Sequence, residues 1–243
     1  MSPFQFSNEA ISLLQNGRYE ESIRPLQAAL SNVKSLLQQS SGVKSSAHRK
    51  AEELMPVPCL RTIDINDNEG DKDADFPSVC RAFRFDDSDD SWKQFLISNE
   101  NAESLVTSLM LFNFALCHHS LATGSNNGKL SVALKLYRLA LYSLEGIVTS
   151  TISSNGNADG SMFDSRQEAT IFVLWMAILN NMANIHSRLC DFEAARRAKT
   201  KLTEILSEYG GHQIAQQYYH EECLFFGLNT IIQETLWDLA PAA

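Results

Sequence analysis

The 243 residues carry 29 Asp and Glu against 20 Lys and Arg, a formal net charge of −9, with 44% apolar and 20% charged side chains. This is an ordinary globular composition with enough apolar residues for a sizeable core. The acidic balance argues against a nucleic-acid partner, because phosphate binding needs clustered Lys and Arg, and the densest basic stretch, Arg196, Arg197, Lys199 and Lys201, has the spacing of a solvated helix face.

In chain order, the sequence predicts a first helix pair in residues 1–39, with a long second helix over Glu20–Gln39. Ser40–Ser46 is Ser- and Gly-rich and reads as a break, and Ala47–Leu54 adds a helical turn. The period then changes. Met55–Ile63 and Pro77–Phe85 are strand-like, with prolines near their starts, as edge strands tolerate. Between them lies the acidic stretch Asp64–Asp75, so residues 40–98 are expected to be an insertion built around a β-hairpin with an acidic tip. An isolated hairpin is marginal in water and must pack on the helices. Residues 99–243 hold the remaining helices: Asn101–Ala122, Lys129–Thr151, Arg166–Leu189, Asp191–Tyr209 and a final apolar helix over Gln213–Leu239. Ser153–Gly160 is a turn-rich loop, and Gly210-Gly211 ends the penultimate helix.

Three stretches share a register. Asn8-Glu9-Ala10, Asn113-Phe114-Ala115 and Asn181-Met182-Ala183 each open a unit. Ala10 to Ser22 and Ala183 to Ala195 are both 12 residues, whereas Ala115 to Ala133 is 18, with the six extra residues in Thr123–Gly128. Ser22 to Ala29, Ala133 to Ala140 and Ala195 to Leu202 are each 7 residues. Small residues at these places let two antiparallel helices approach at their crossing, while larger residues fill the rest of the interface. Tyr19 and Phe192 follow the turn and are expected to seal the closed end of their pairs.

This register resembles the tetratricopeptide repeat, with small residues at its eighth (Ala10, Ala115, Ala183) and twentieth (Ser22, Ala133, Ala195) positions, Gly17-Arg18-Tyr19 before a second helix, and Tyr137 as the later aromatic. Leu26 replaces that aromatic in the first unit, Lys199 and Leu202 depart from the pattern in the third, Cys190 stands where the turn Gly belongs, and no unit ends with the usual Pro. The resemblance covers about half of the chain. It implies a mainly α fold: a tetratricopeptide-like solenoid of antiparallel helix pairs, with the inserted hairpin and a C-terminal capping helix.

No Gly-rich phosphate loop, nucleophile elbow, H-E-x-x-H helix or kinase signature is present, so no catalytic residues or cofactor are expected and the chain is read as a non-enzyme. Asp64–Asp75 lacks the closing Glu and helical flanks of a calcium loop. His118 and His119 are adjacent, so their side chains diverge by about 100°. His186 shares the repeat position of His118 and is assigned to packing between helices. His220 and Cys223 lie three apart with no second pair to complete a zinc site. No metal is therefore expected.

The longest uninterrupted apolar run, Ile171–Leu179, falls well short of the roughly 20 residues of a membrane span, and the first residues lack the basic and apolar regions of a signal peptide. No membrane partner is expected. Five scattered cysteines without a C-x-x-C pair fit reduced thiols in the cytoplasm or nucleus.

By the same resemblance, the first helix of each pair lines a groove. Asn8, Asn113 and Asn181 recur there, and an amide carries the donor and the acceptor that an extended backbone requires. Leu109, Phe112 and Leu116 would face the groove and favour an apolar ligand, unless the hairpin or a neighbouring helix covers them. Asn180, Asn184 and Arg188 follow in the third unit, with Arg188 suited to a carboxylate or phosphate. Ser7 and Ile11 occupy places where a carboxylate clamp wants Lys, so a chaperone-tail receptor is not expected. The expected function is a protein- or peptide-binding scaffold using Phe112, Asn113, Asn180, Asn181, Asn184 and Arg188. The alternative is a structural protein that self-associates, as a homodimer, through Leu224, Phe225, Phe226, Leu228, Ile231 and Ile232.

Overall fold

The structure is a computed structural model, and it describes residues 1–41, 60–65, 80–86, 88–99, 101–122, 127–154 and 165–209, with 58, 219, 221, 225 and 226. The described residues form seven helices and one two-stranded antiparallel sheet. The chain divides into two compact units, Met1–Met162 and Phe163–Ala243. The first unit holds the first two helix pairs and the hairpin.

In the first unit, α1 (Pro3–Gln15) and α2 (Tyr19–Ser41) form one pair and α4 (Ala102–Ser120) and α5 (Asn127–Ser154) the next, with α2 against α4. Helix α1 starts at a reciprocal cap. Ser2 Oγ accepts from the Gln5 N–H and Gln5 Oε1 accepts from the Ser2 N–H, both at 3.1 Å, with Pro3 at the first helical position. This reciprocal cap satisfies two otherwise orphaned donors. Ala10, Ser22 and Ala29 are fully buried, as are Ala115, Ala133, Tyr137 and Ala140. The Cys117 thiol lies 2.9 Å from Ser22 Oγ and 3.0 Å from the Tyr19 carbonyl, joining α4 to the start of α2.

Strands β1 (Leu60–Ile65) and β2 (Cys80–Phe85) pair in the register Leu60–Phe85, Thr62–Phe83 and Asp64–Arg81. β1 runs on past Ile63, and Asp64 and Ile65, read as part of the tip, are instead within it, where the Asp64 carboxylate meets Arg81 Nε at 2.9 Å. Residues 66–75 of the acidic stretch and most of 55–59 lie outside the described residues. The sequence did not reveal α3 (Asp89–Ser98), a helix capped by Ser88 Oγ, which accepts from the Ser91 N–H at 3.3 Å. Its Trp92 and Phe95 are fully buried.

The second unit contains α6 (Ser165–Arg188) and α7 (Phe192–Tyr209), while the final helix expected over Gln213–Leu239 lies mostly outside the described residues. From Gln167 to His186 only Glu168, Trp175 and Asn184 are not buried. By length and composition Arg166–Arg188 could cross a bilayer, which the short run Ile171–Leu179 did not disclose, but 83% of its apolar window is buried within the chain, as in a core helix.

The turns of the first and third pairs are the same structure. The Arg18 N–H donates to the Leu13 carbonyl (2.9 Å) and the Gly17 N–H to Leu14 (3.0 Å); the Asp191 N–H donates to His186 (2.9 Å) and the Cys190 N–H to Ser187 (3.0 Å). These are Schellman ends, which place one residue in the left-handed region. Gly17 takes φ 70° there without strain, whereas Cys190 takes φ 59° with a Cβ. Cys190→Gly is therefore expected to raise stability by about 0.5–1 kcal/mol, because the left-handed geometry costs a side-chain-bearing residue roughly 1–2 kcal/mol and glycine's extra chain entropy returns part of that. A thermal melt unchanged or lowered by the substitution would contradict this.

Candidate binding groove

The register residues Asn8 and Asn113 stand on α1 and α4 and reach the same strand. Asn8 Nδ2 donates to the Phe85 carbonyl at 2.6 Å, and Asn8 Oδ1 accepts from the Phe85 N–H at 2.9 Å. Asn113 Nδ2 donates to the Phe83 carbonyl at 2.8 Å, and its Oδ1 accepts from the Phe83 N–H at 3.0 Å. Each amide thus closes a two-bond ring with one residue of β2, as a neighbouring strand would. In an antiparallel ladder, alternate residues turn their N–H and C=O to opposite edges. Phe83 and Phe85 therefore bond outward to the two amides, and Ala82 and Arg84 bond inward to β1.

Side chains reinforce this backbone clamp. The Phe83 ring meets Phe112 edge-on with centroids 5.2 Å apart, and Phe112 in turn lies 5.5 Å from Tyr137. Phe85 sits among Phe4 (5.3 Å) and Trp92 (4.8 Å), with Phe95 5.8 Å beyond Trp92. The opposite face of the sheet carries the buried Ala82 and Ile65 and, at its other end, two exposed arginines. Arg61 and Arg84 are directly paired across the strands, and their like charges share the Asp86 carboxylate, at 2.7 Å and 3.5 Å.

Phe112 and Asn113, expected to meet a partner, are both fully buried and serve the chain's own strand. The expectation named the bonding chemistry of Asn113 but not its occupant. Asn8, outside the expected site set, completes the clamp, and its signal in the sequence was its shared register with Asn113.

The remaining expected residues lie on α6. Asn180 and Asn181 are buried, and Asn180 Nδ2 donates to Asn181 Oδ1 at 3.2 Å. Asn184 is half-buried and Arg188 exposed. His186, assigned to packing, is buried, with Nδ1 3.1 Å from Asp191 Oδ2. Asp191 Oδ1 also accepts from the Ala194 N–H at 3.2 Å, so this pair fastens the end of α6 to the start of α7. His119 is buried edge-on to Tyr137, and His118 is half-buried against Phe114. His220 and Cys223 lie outside the described residues, as do Leu224, Leu228, Ile231 and Ile232 of the self-association surface.

Burial pushes the Cys117 thiol up to about 11, more than its bond with Ser22 and the charge of Lys129 lower it. A raised folded-state value favours the neutral thiol, so this stabilisation is fully present below the ordinary value of 9.0 and is lost as pH rises through about 11. Urea midpoints measured across that interval are expected to fall more steeply for the wild type than for Cys117→Ala. Parallel curves would contradict a buried neutral thiol.

No family model, curated protein or solved structure matches this chain.

Proposed function

We propose that this chain is a non-enzymatic, tetratricopeptide-like scaffold that binds other proteins by holding extended peptide segments along the first helices of its pairs. One observation carries the reading. Asn8 and Asn113, at one register position of two successive pairs, each exchange two hydrogen bonds with an extended backbone at residues two apart. An amide so placed recognises main chain independently of sequence, which is what a peptide groove needs. The buried small residues at matching places in each pair and the identical turns after α1 and α6 support the repeat reading.

In the third pair Asn181 stands at that same position of the register, with Asn184 and Arg188 following on one side of α6. The exposed guanidinium of Arg188 suits a carboxylate or phosphate. A cytoplasmic or nuclear location goes with this reading, supported by the scattered cysteines.

The test is selection from a random-peptide display library on the full chain. Enriched peptides are expected to bind Asn184→Ala/Arg188→Ala at least about tenfold more weakly, the equivalent of about 1.4 kcal/mol. Enrichment no better than on an unrelated helical protein, or equal binding to both forms, would remove α6 as the partner face.

A further inference from the structure

The α1–α4 groove has two kinds of recognition. Four hydrogen bonds go to main-chain atoms and would hold any extended segment in one register. The two ring sites are selective. Phe83 and Phe85 are both about fully buried (1% and 2% exposed), while Arg84 between them is exposed. Alternate residues of an extended chain project to one face about 6.8 Å apart. The groove therefore reads two large aromatic side chains at positions i and i+2 and leaves the middle residue unconstrained.

The present occupant is one strand of a two-stranded hairpin, an element that is marginal in water by itself. It relies on the helices for its outer-edge bonds and for the burial of both rings. We propose that β2 is an internal ligand of this groove, and that with the hairpin disengaged the groove takes a partner's extended segment of aromatic–x–aromatic pattern. This rests on the scaffold reading above and adds to it the partner's chemistry and a built-in block. Tethering decides which occupant wins. β2 runs into α3 through residues 86–88, which gives it an effective concentration in about the millimolar range. A free segment of micromolar affinity does not displace it, so the groove is closed until the hairpin is weakened.

The test uses the full chain and a fluorescent peptide of residues 78–86 carrying Ser in place of Cys80. Phe83→Ala/Phe85→Ala empties both ring sites and substitutes no residue of the helices that form the groove. This variant is expected to bind the peptide at least about tenfold more tightly than the wild type does, because the binding-competent fraction rises. Adding Asn113→Ala is expected to reduce that binding by about tenfold or more, and a peptide with Ala at both aromatic positions is expected not to bind. Where the variant is unfolded, the peptide is expected to restore its helical circular dichroism, as a ligand of the folded state does. A folded variant that ignores the peptide, an unfolded one the peptide does not restore, equal binding to wild type and variant, or equal binding of the Ala peptide would each overturn the proposal. Failure here with peptide capture still lost in Asn184→Ala/Arg188→Ala would leave the scaffold reading standing. Success here without any such capture would confine binding to the α1–α4 groove.

Discussion

Replacing Asn113 by Leu is expected to lower the unfolding free energy by about 2–5 kcal/mol, because it orphans two buried main-chain groups at roughly 1–3 kcal/mol each. The groups are the N–H and the carbonyl of Phe83, now bonded at 3.0 Å and 2.8 Å to a fully buried amide. Leu is close to Asn in size, so the loss is one of bonding more than of volume. In urea the midpoint is expected to fall with the slope unchanged. Asn113→Asp sharpens the test: a carboxylate still accepts from the Phe83 N–H, but it sets a second acceptor against the Phe83 carbonyl and buries a charge. It is expected to be at least as damaging. Asn8→Leu removes the equivalent pair at Phe85 from a half-buried site, where water can substitute, and is expected to cost less. A loss under about 1 kcal/mol for Asn113→Leu would mean that the clamp does not hold β2 in place.

Trp92→Ala is expected to cost about 3–5 kcal/mol, the range for deleting a buried large aromatic. Trp92 is fully buried and touches Phe4 of α1 (5.6 Å), Phe85 of β2 (4.8 Å) and Phe95 of its own helix (5.8 Å). It therefore fastens three elements at one point. Trp92→Phe is expected to be far milder, because the ring contact survives in part and the buried indole N–H, which has no acceptor among the described residues, disappears. A double-mutant cycle of Trp92→Ala with Phe4→Ala is expected to show coupling of about 0.5–3 kcal/mol. Additive effects would show that the α1–α3 contact contributes nothing of its own.

Both results bear on how a hairpin comes to be stable on a helical scaffold. A third strand would satisfy the outer edge of β2 with a run of main-chain groups. Two asparagines on neighbouring helices do so instead, one per alternate residue, because the register sets them on matching places of α1 and α4. The same fact accounts for the mixed fate of the expected site residues. Asn113 does bond an extended backbone, but that backbone belongs to this chain.

Helix existence and pairing were legible in the sequence. Small residues at 12- and 7-residue spacings and the Gly17 turn are local signals, and local signals act through neighbours a turn or so away. The strands were legible as a change of period, though β1 continues through Asp64 and Ile65 because register is fixed by the partner strand and not by propensity. Helix α3 was missed because it is only ten residues long, and the value of its apolar side chains lies in the distant Phe4 and Phe85 that Trp92 meets.

What the sequence determined alone, then, is the set of helix pairs and the recurrence of Asn at one place in each, since backbone hydrogen bonding and side-chain period are properties of short stretches. What only the tertiary structure decided is what those amides hold. Asn8 and Asn113 stand 77 and 30 residues from their partners Phe85 and Phe83. No local pattern encodes such a pairing, because it is selected by whichever extended segment can bury its aromatics and satisfy its edge in the same groove.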